Sequence, residues 1–117
     1  MPRDIRTYLH DVLVAGGLIR RFVSGRSLAD YEDDPMLRSA VERQFEVIGE
    51  ALRRAVETNP DLREKIPQLA RIIAFRNQLI HGYTGVRHEI VWAIVEENLP
   101  RLLQIVDELM TDLGREG

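Results

Sequence analysis

Apolar residues along this chain recur at three- and four-residue steps and nowhere alternate, which is the period of helices rather than strands. Ile5, Tyr8, Leu9, Val12, Gly16, Ile19, Phe22 and Val23 trace one such stripe and predict a first amphipathic helix ending near Ser24-Gly25. Ser27 to Asp33 is polar and reads as a loop with at most one helical turn. Asp34-Pro35 then reads as an N-cap followed by proline in the first helical position. It opens a long second helix along Leu37, Val41, Phe45, Ile48, Leu52, Ala55 and Val56. Asn59-Pro60 ends that helix, because proline cannot continue the ladder and restricts the residue before it.

Pro67 is expected to open a third helix carrying Leu69, Ile72, Ile73, Arg76, Leu79 and Ile80, with Gly82 where a C-terminal glycine stop belongs. After a Thr84-Gly85 turn, Ile90, Val91, Ile94 and Val95 begin a fourth helical stretch, which Pro100 should kink or divide near Glu97-Asn98. Leu102, Leu103, Val106, Leu109, Met110 and Leu113 carry it on to Gly114. Short connections between long amphipathic helices predict an all-α, antiparallel bundle of four to five helices. Residues 1–117 read as one domain, without repeat, low-complexity tract or linker.

Composition narrows the chemistry. With 117 residues the chain can bury roughly two thirds of the surface its unfolded form exposes, so the core needs no disulfide or metal to hold it. The absence of cysteine removes thiol catalysis, Cys-ligated zinc and disulfide scaffolds. The longest apolar or glycine run, Val12–Ile19, has eight residues, against the ~20 that a spanning helix requires. It also lacks a following cleavage site, so the expected address is the cytoplasm, with no membrane partner. A net charge of −3 does not advertise nucleic acid, but fifteen of the sixteen basic residues are arginine. Between Arg53 and Arg76 six basic residues face three acidic ones, so a local positive patch is compatible with the acidic total.

The most informative stretch is Arg76-Asn77-Gln78-Leu79-Ile80-His81-Gly82-Tyr83, reactive groups gathered where an apolar helix ends. Asn77 and His81 are one turn apart and share a face, so Asn77 can orient the imidazole. Arg76 and His81 are five positions apart, about 140° around an ideal helix. Either the last turn unwinds at Gly82 and swings His81 toward Arg76, or a second subunit brings its own copy against the first. A histidine in the last helical turn sits at the negative end of the macrodipole, which favours its protonated form. Arginine supplies permanent charge for a phosphate and for the charge that grows in a phosphoryl transition state. RNA carries its own nucleophile, the 2′-hydroxyl, so such a pair suffices for transesterification. The plainer reading of the same residues is a salt-bridge donor and a helix cap.

Arg76-x4-His81-x-Tyr83 resembles the R-x4-H-x-Y motif of HepT-type toxins, within the wider HEPN pattern of arginine, four to six residues, then histidine. Val41 to Ala51 resembles the same family's second-helix signature ending in Ile-Gly-Glu-Ala, and Val91-Trp92 with Leu99-Pro100 resembles its later Val-Trp and Leu-Pro element. The resemblance covers most of the chain, in order. It implies a homodimeric HEPN fold and a metal-independent endoribonuclease, with catalytic Arg76 and His81 at the interface. It also implies a toxin of a type VII-like toxin–antitoxin pair, silenced when an MntA-type nucleotidyltransferase antitoxin attaches AMP to Tyr83. Transfer RNA is one substrate class that it suggests.

Glu50 either orients Arg76 or His81 from the neighbouring helix or pairs with Arg54 one turn on. Gly49 costs about 1 kcal/mol of helix stability relative to alanine and points to close approach by another helix. Asn77 is a supporting group or a polar cap. His10 belongs to the polar side of the first helix, Arg87 and His88 begin the fourth, and Trp92 is core or interface. No cofactor is expected. A carboxylate-bridged metal site would need Glu three residues before His, and the residues there are Thr7, Gln78 and Gly85. There is no phosphate-gripping glycine loop, so the chain is not itself a nucleotidyltransferase. The rival class is a non-catalytic helical partner that helps such an enzyme hold its substrate.

Overall fold

Short polar side chains set the ends of the helices. In the computed structural model, which describes residues 4–81 and 87–116, Asp4 accepts the backbone N–H of Arg6 at 2.8 Å and starts α1 (Ile5–Val23). Gly25, at φ 73, supplies the left-handed turn after it. Asp34 accepts from the backbone N–H groups of Met36 and Leu37 at 3.0 and 3.1 Å, with Pro35 at the first position of α3 (Pro35–Thr58).

Between them, the polar stretch expected to be a loop is a six-residue helix, α2 (Leu28–Asp33). Ser27 Oγ accepts from the Asp30 N–H while Asp30 accepts from the Ser27 N–H, which satisfies two donors at once. Leu28 packs partly buried against the core, and Tyr31 is fully buried, with its ring 5.6 Å from that of Trp92 and edge-on to His88 at 5.9 Å. The third long helix starts later than Pro67 suggests. A single turn, α4 (Leu62–Lys65), precedes it, and α5 runs Leu69–Ile80.

The last rod is continuous. α6 (His88–Ala93) passes through a widened π turn, Ile94–Asn98, into α7 (Leu99–Glu116), so the expected break before Pro100 is a change of pitch. The Leu99 N–H reaches back five residues to the Ile94 carbonyl there.

Packing is antiparallel where the helices meet. Tyr8 and Asp11 of α1 line one cleft with Glu46, Val47 and Arg54 of α3, and Phe45 of α3 meets Phe75 of α5 with rings 5.2 Å apart. Val12, Ile19, Val41, Phe45, Ile48, Leu52, Ile72, Leu102 and Val106 are fully buried in one core. Each such side chain contributes about 1.5–3 kcal/mol over leaving it in water. Among the described residues no polar or charged residue is buried and no helix is long and apolar enough to cross a membrane. These elements form the all-α bundle that the periodicity predicts.

Candidate active site

Gly49 brings α3 and α5 closer together than any side chain would allow. A Cβ built there would lie 2.3 Å from Arg76 Cβ and 2.5 Å from its Cγ. The stem of Arg76 therefore runs across the bare backbone of α3, as the expected close helix approach requires.

From that stem the guanidinium reaches Glu50, the next residue on α3. Arg76 NH2 donates to Glu50 Oε2 at 2.6 Å, and Arg76 NH1 donates to Asn77 Oδ1 at 2.9 Å. Of its five N–H donors, these two are committed, and the side chain stays about one fifth exposed, at 20%. Its Nε is buried with no partner among the described residues.

Glu50 does both things weighed for it. Its Oε1 accepts from Arg54 Nε at 2.8 Å, the one-turn pair, and from Arg53 NH2 at 2.6 Å, while its other oxygen holds Arg76. The Arg53 hydrogen bond is the chief reason its carboxyl sits below the usual glutamate range, with Arg54 and the charge of Arg76 adding to that and partial burial opposing it. Arg53 also donates to Glu57 at 2.6 Å. Three arginines against two glutamates leave a positive surplus beside Arg76, within the segment where the sequence places its basic excess. Arg53 was not singled out from the sequence, although its spacing of three from Glu50 carries the signal.

The Asn77 side-chain oxygen accepts from Arg76. On a helix adjacent residues do not face each other, and it is the length of arginine that lets the fork curl back to its neighbour.

His81 caps α5 and is exposed; its backbone N–H bonds to the Asn77 carbonyl at 3.0 Å, an ordinary α-helical step. The helix is thus regular up to His81, and residues five apart on a regular helix leave it about 140° apart; Gly82, where unwinding would swing the imidazole toward Arg76, lies outside the described residues. Ile80, between them, is an exposed apolar residue (44%), and so is Ile90 (41%) in the following helix. His10 is exposed, His88 is half-buried against Tyr31, and Trp92 is core. Gly82 and Tyr83 lie outside the described residues. Among the described residues, no three His, Asp or Glu side chains gather as metal ligands.

On the α1 side, Arg76 opens onto a cleft of 280 Å³ lined by Tyr8, Arg43, Glu46, Val47 and Ala51 among others. Arg54 borders it too and is hydrogen-bonded to Tyr8 as well as to Glu50.

A family model described as "Ribonuclease HepT-like" matches residues 12–109, a span that includes Glu50, Arg76, Asn77, His81 and Tyr83. The chain is 34% identical over 107 residues to a Methanocaldococcus jannaschii protein named "Putative RNase MJ1380", covering 90% of this chain and 95% of that protein. It is 35% identical over 104 residues to "Probable ribonuclease HepT" of Thermococcus cleftensis, covering 87% and 92%. It is also 32% identical over 105 residues to "Putative RNase TTE0752" of Caldanaerobacter subterraneus subsp. tengcongensis, covering 90% and 93%. No solved structure matches the chain.

Proposed function

Because the chain belongs to the HepT-like ribonuclease family, we propose that it is an endoribonuclease in which Arg76 and His81 carry the chemistry. The observation that supports this most directly is the anchoring of Arg76. Glu50 and Asn77 hold its fork in one orientation while leaving N–H donors free for a phosphate oxygen.

In the reaction the 2′-oxygen of the substrate attacks phosphorus as its proton passes to a base, and the 5′-oxygen leaves as it gains a proton. His81 serves as general base or general acid in this exchange. Arg76 neutralises the charge that grows on the non-bridging phosphate oxygens. Neither role needs a metal ion. Asn77 and Glu50 act through Arg76 as positioning residues.

Two chains pair about a two-fold axis and build the site jointly, a reading supported by the ~140° offset of residues five apart on a regular helix. The exposed Ile80 and Ile90 near the motif give that pairing an apolar surface.

The biological reading is a cytoplasmic toxin with RNA, transfer RNA among the candidates, as substrate. A nucleotidyltransferase antitoxin of the MntA type silences it by adenylylating Tyr83. That would place negative charge and bulk two residues from His81, in a groove meant for RNA.

The test is cleavage of total RNA by the purified chain in EDTA, with the new ends mapped. His81→Ala should abolish cutting by at least about a hundredfold, in line with the loss of a general acid or base, with its helical circular dichroism unchanged. A His81→Ala protein that cuts as fast as wild type refutes the assignment.

A further inference from the structure

The cleft beside Arg76 contains two charged side chains that the reaction above leaves unused. Arg43 and Glu46 sit three residues apart on one face of α3, and both line the cleft. Neither side chain takes part in a hydrogen bond or ion pair among the described residues. The other charged groups of the cleft are engaged: Glu50 with three arginines, Arg54 with Glu50 and Tyr8, and Asp11 with a partner of its own. Val47, Ala51, Ile80 and Tyr8 line the same cleft. At 280 Å³ the space falls just short of the ligand-pocket range, which begins at about 300 Å³.

A carboxylate only accepts hydrogen bonds and a guanidinium only donates them. A flat apolar-faced group that satisfies both must present donors to Glu46 and an acceptor to Arg43. Among the RNA bases, guanine alone offers two adjacent donors, N1–H and the N2 amino group, next to the acceptor O6. A carboxylate can take both donors as a bidentate pair, and arginine is suited to O6 or N7 of the same base. Adenine and cytosine place a donor beside an acceptor on the same edge, and uracil has one ring N–H between two carbonyls. Each would set an acceptor against a carboxylate oxygen.

Placement favours a role in RNA binding. Glu46 is one turn, ~6 Å along the axis, from Glu50, whose carboxylate holds Arg76. A base in the cleft has its sugar and phosphate close to that guanidinium.

We propose that Arg43 and Glu46 form a guanine subsite next to the phosphate-binding Arg76, so that RNA is cut preferentially beside guanosine. Recognition of the base stands on the cleft alone; its role in choosing the cleavage position rests on the ribonuclease reading.

The experiment titrates the full-length protein with GMP, IMP, AMP, CMP and UMP, for wild type and for Glu46→Gln and Arg43→Ala, following backbone amides by NMR. Arg43 is exposed and Glu46 half-buried on a long helix, and circular dichroism checks that the variants fold. GMP should bind wild type about tenfold more tightly than AMP, CMP or UMP. IMP, which lacks the amino group, should fall between. Glu46→Gln replaces an acceptor by a donor and should erase the preference, and Arg43→Ala should weaken GMP and IMP together. Mapped RNA ends should cluster beside guanosine for wild type and scatter for Glu46→Gln. Equal binding of all the nucleotides, no binding at millimolar concentration, or a preference that survives Glu46→Gln overturns the subsite. A GMP preference without any RNA cleavage keeps the subsite and overturns the ribonuclease reading. Cleavage with no nucleotide preference does the reverse.

Discussion

Gly49→Ala would separate two effects that ordinarily travel together. Alanine in place of glycine within a helix gains about 1 kcal/mol of stability. Against that, the new Cβ would lie 2.3 Å from Arg76 Cβ and 2.5 Å from its Cγ, where carbon atoms prefer about 3.5–4.0 Å. The Arg76 Cβ is fixed to its backbone, so no rotamer relieves the contact and α3 and α5 must separate by roughly 1 Å. Such overpacking costs about 1–3 kcal/mol, so the net effect is a loss of up to about 2 kcal/mol once the propensity gain is subtracted. The same separation stretches the 2.6 Å bond from Arg76 to Glu50, and a displacement of ~1 Å at a reacting group can cost about a hundredfold in rate. Gly17→Ala is the matched control. Gly17 also lies within a helix, but nothing comes within 4 Å of its built Cβ, so that variant should gain about 0.5–1 kcal/mol. Urea unfolding and an RNA cleavage assay on both proteins would read the difference. If Gly49→Ala were as stable as Gly17→Ala and cut RNA undiminished, the contact between the Arg76 stem and α3 would not be what fixes the arginine.

Other consequences can be checked with similar tools. Glu50→Gln should lower kcat about tenfold or more through misplacement of Arg76, with KM and the unfolding midpoint changing far less. Because the Glu50 carboxyl lies below its ordinary range, its anchoring is complete above about pH 4.3 and is lost as pH falls through the lowered folded value; an acid limb of the rate profile above that pH must therefore have another source. The Tyr31 hydroxyl is buried with no hydrogen-bond partner among the described residues, so Tyr31→Phe should stabilise the fold by about 1 kcal/mol in chemical denaturation. Burial, with a smaller contribution from Glu46, raises the Glu42 carboxyl above its usual range while His88 and Arg38 oppose the rise. A raised folded value favours the protonated form, so wild-type stability from this group is present below the ordinary glutamate range and lost as pH rises through the folded value. Glu42→Gln should then be more stable than wild type at pH 7, with the advantage gone near about pH 3.5.

The long helices were legible because their ends carry local chemistry. Asp34-Pro35 and Asn59-Pro60 bracket α3 as the pattern requires, and Ser24-Gly25 closes α1. α2 was not legible from its apolar pattern, because Tyr31 alone of its residues is fully buried. The signal was the Ser27–Asp30 spacing, a reciprocal cap that outweighs a polar composition. Pro67 misplaced the start of α5 because proline suits both a turn and a first helical position, and here it stands in the turn before Gln68. At the site, spacing alone placed Glu50 and Gly49 against Arg76 no better than against a neighbour on their own helix. Only the antiparallel crossing of α3 and α5 joins residues 26 positions apart. The bond from Arg76 to its neighbour Asn77 was not legible because helical geometry treats side chains as radial spokes, a rule that a guanidinium on a three-carbon stem does not obey.

The widened turn at Ile94–Asn98 ties two traits of the chain together. Proline within a regular α-helix collides with the carbonyl four residues back and costs about 3 kcal/mol; in this rod that carbonyl belongs to Glu96, inside the turn that is already opened. A shortening by one residue here would tighten the pitch and restore the collision. A relative that drops the extra residue is therefore expected to have lost the proline as well, so that chain length and residue identity at this joint are inherited as one character.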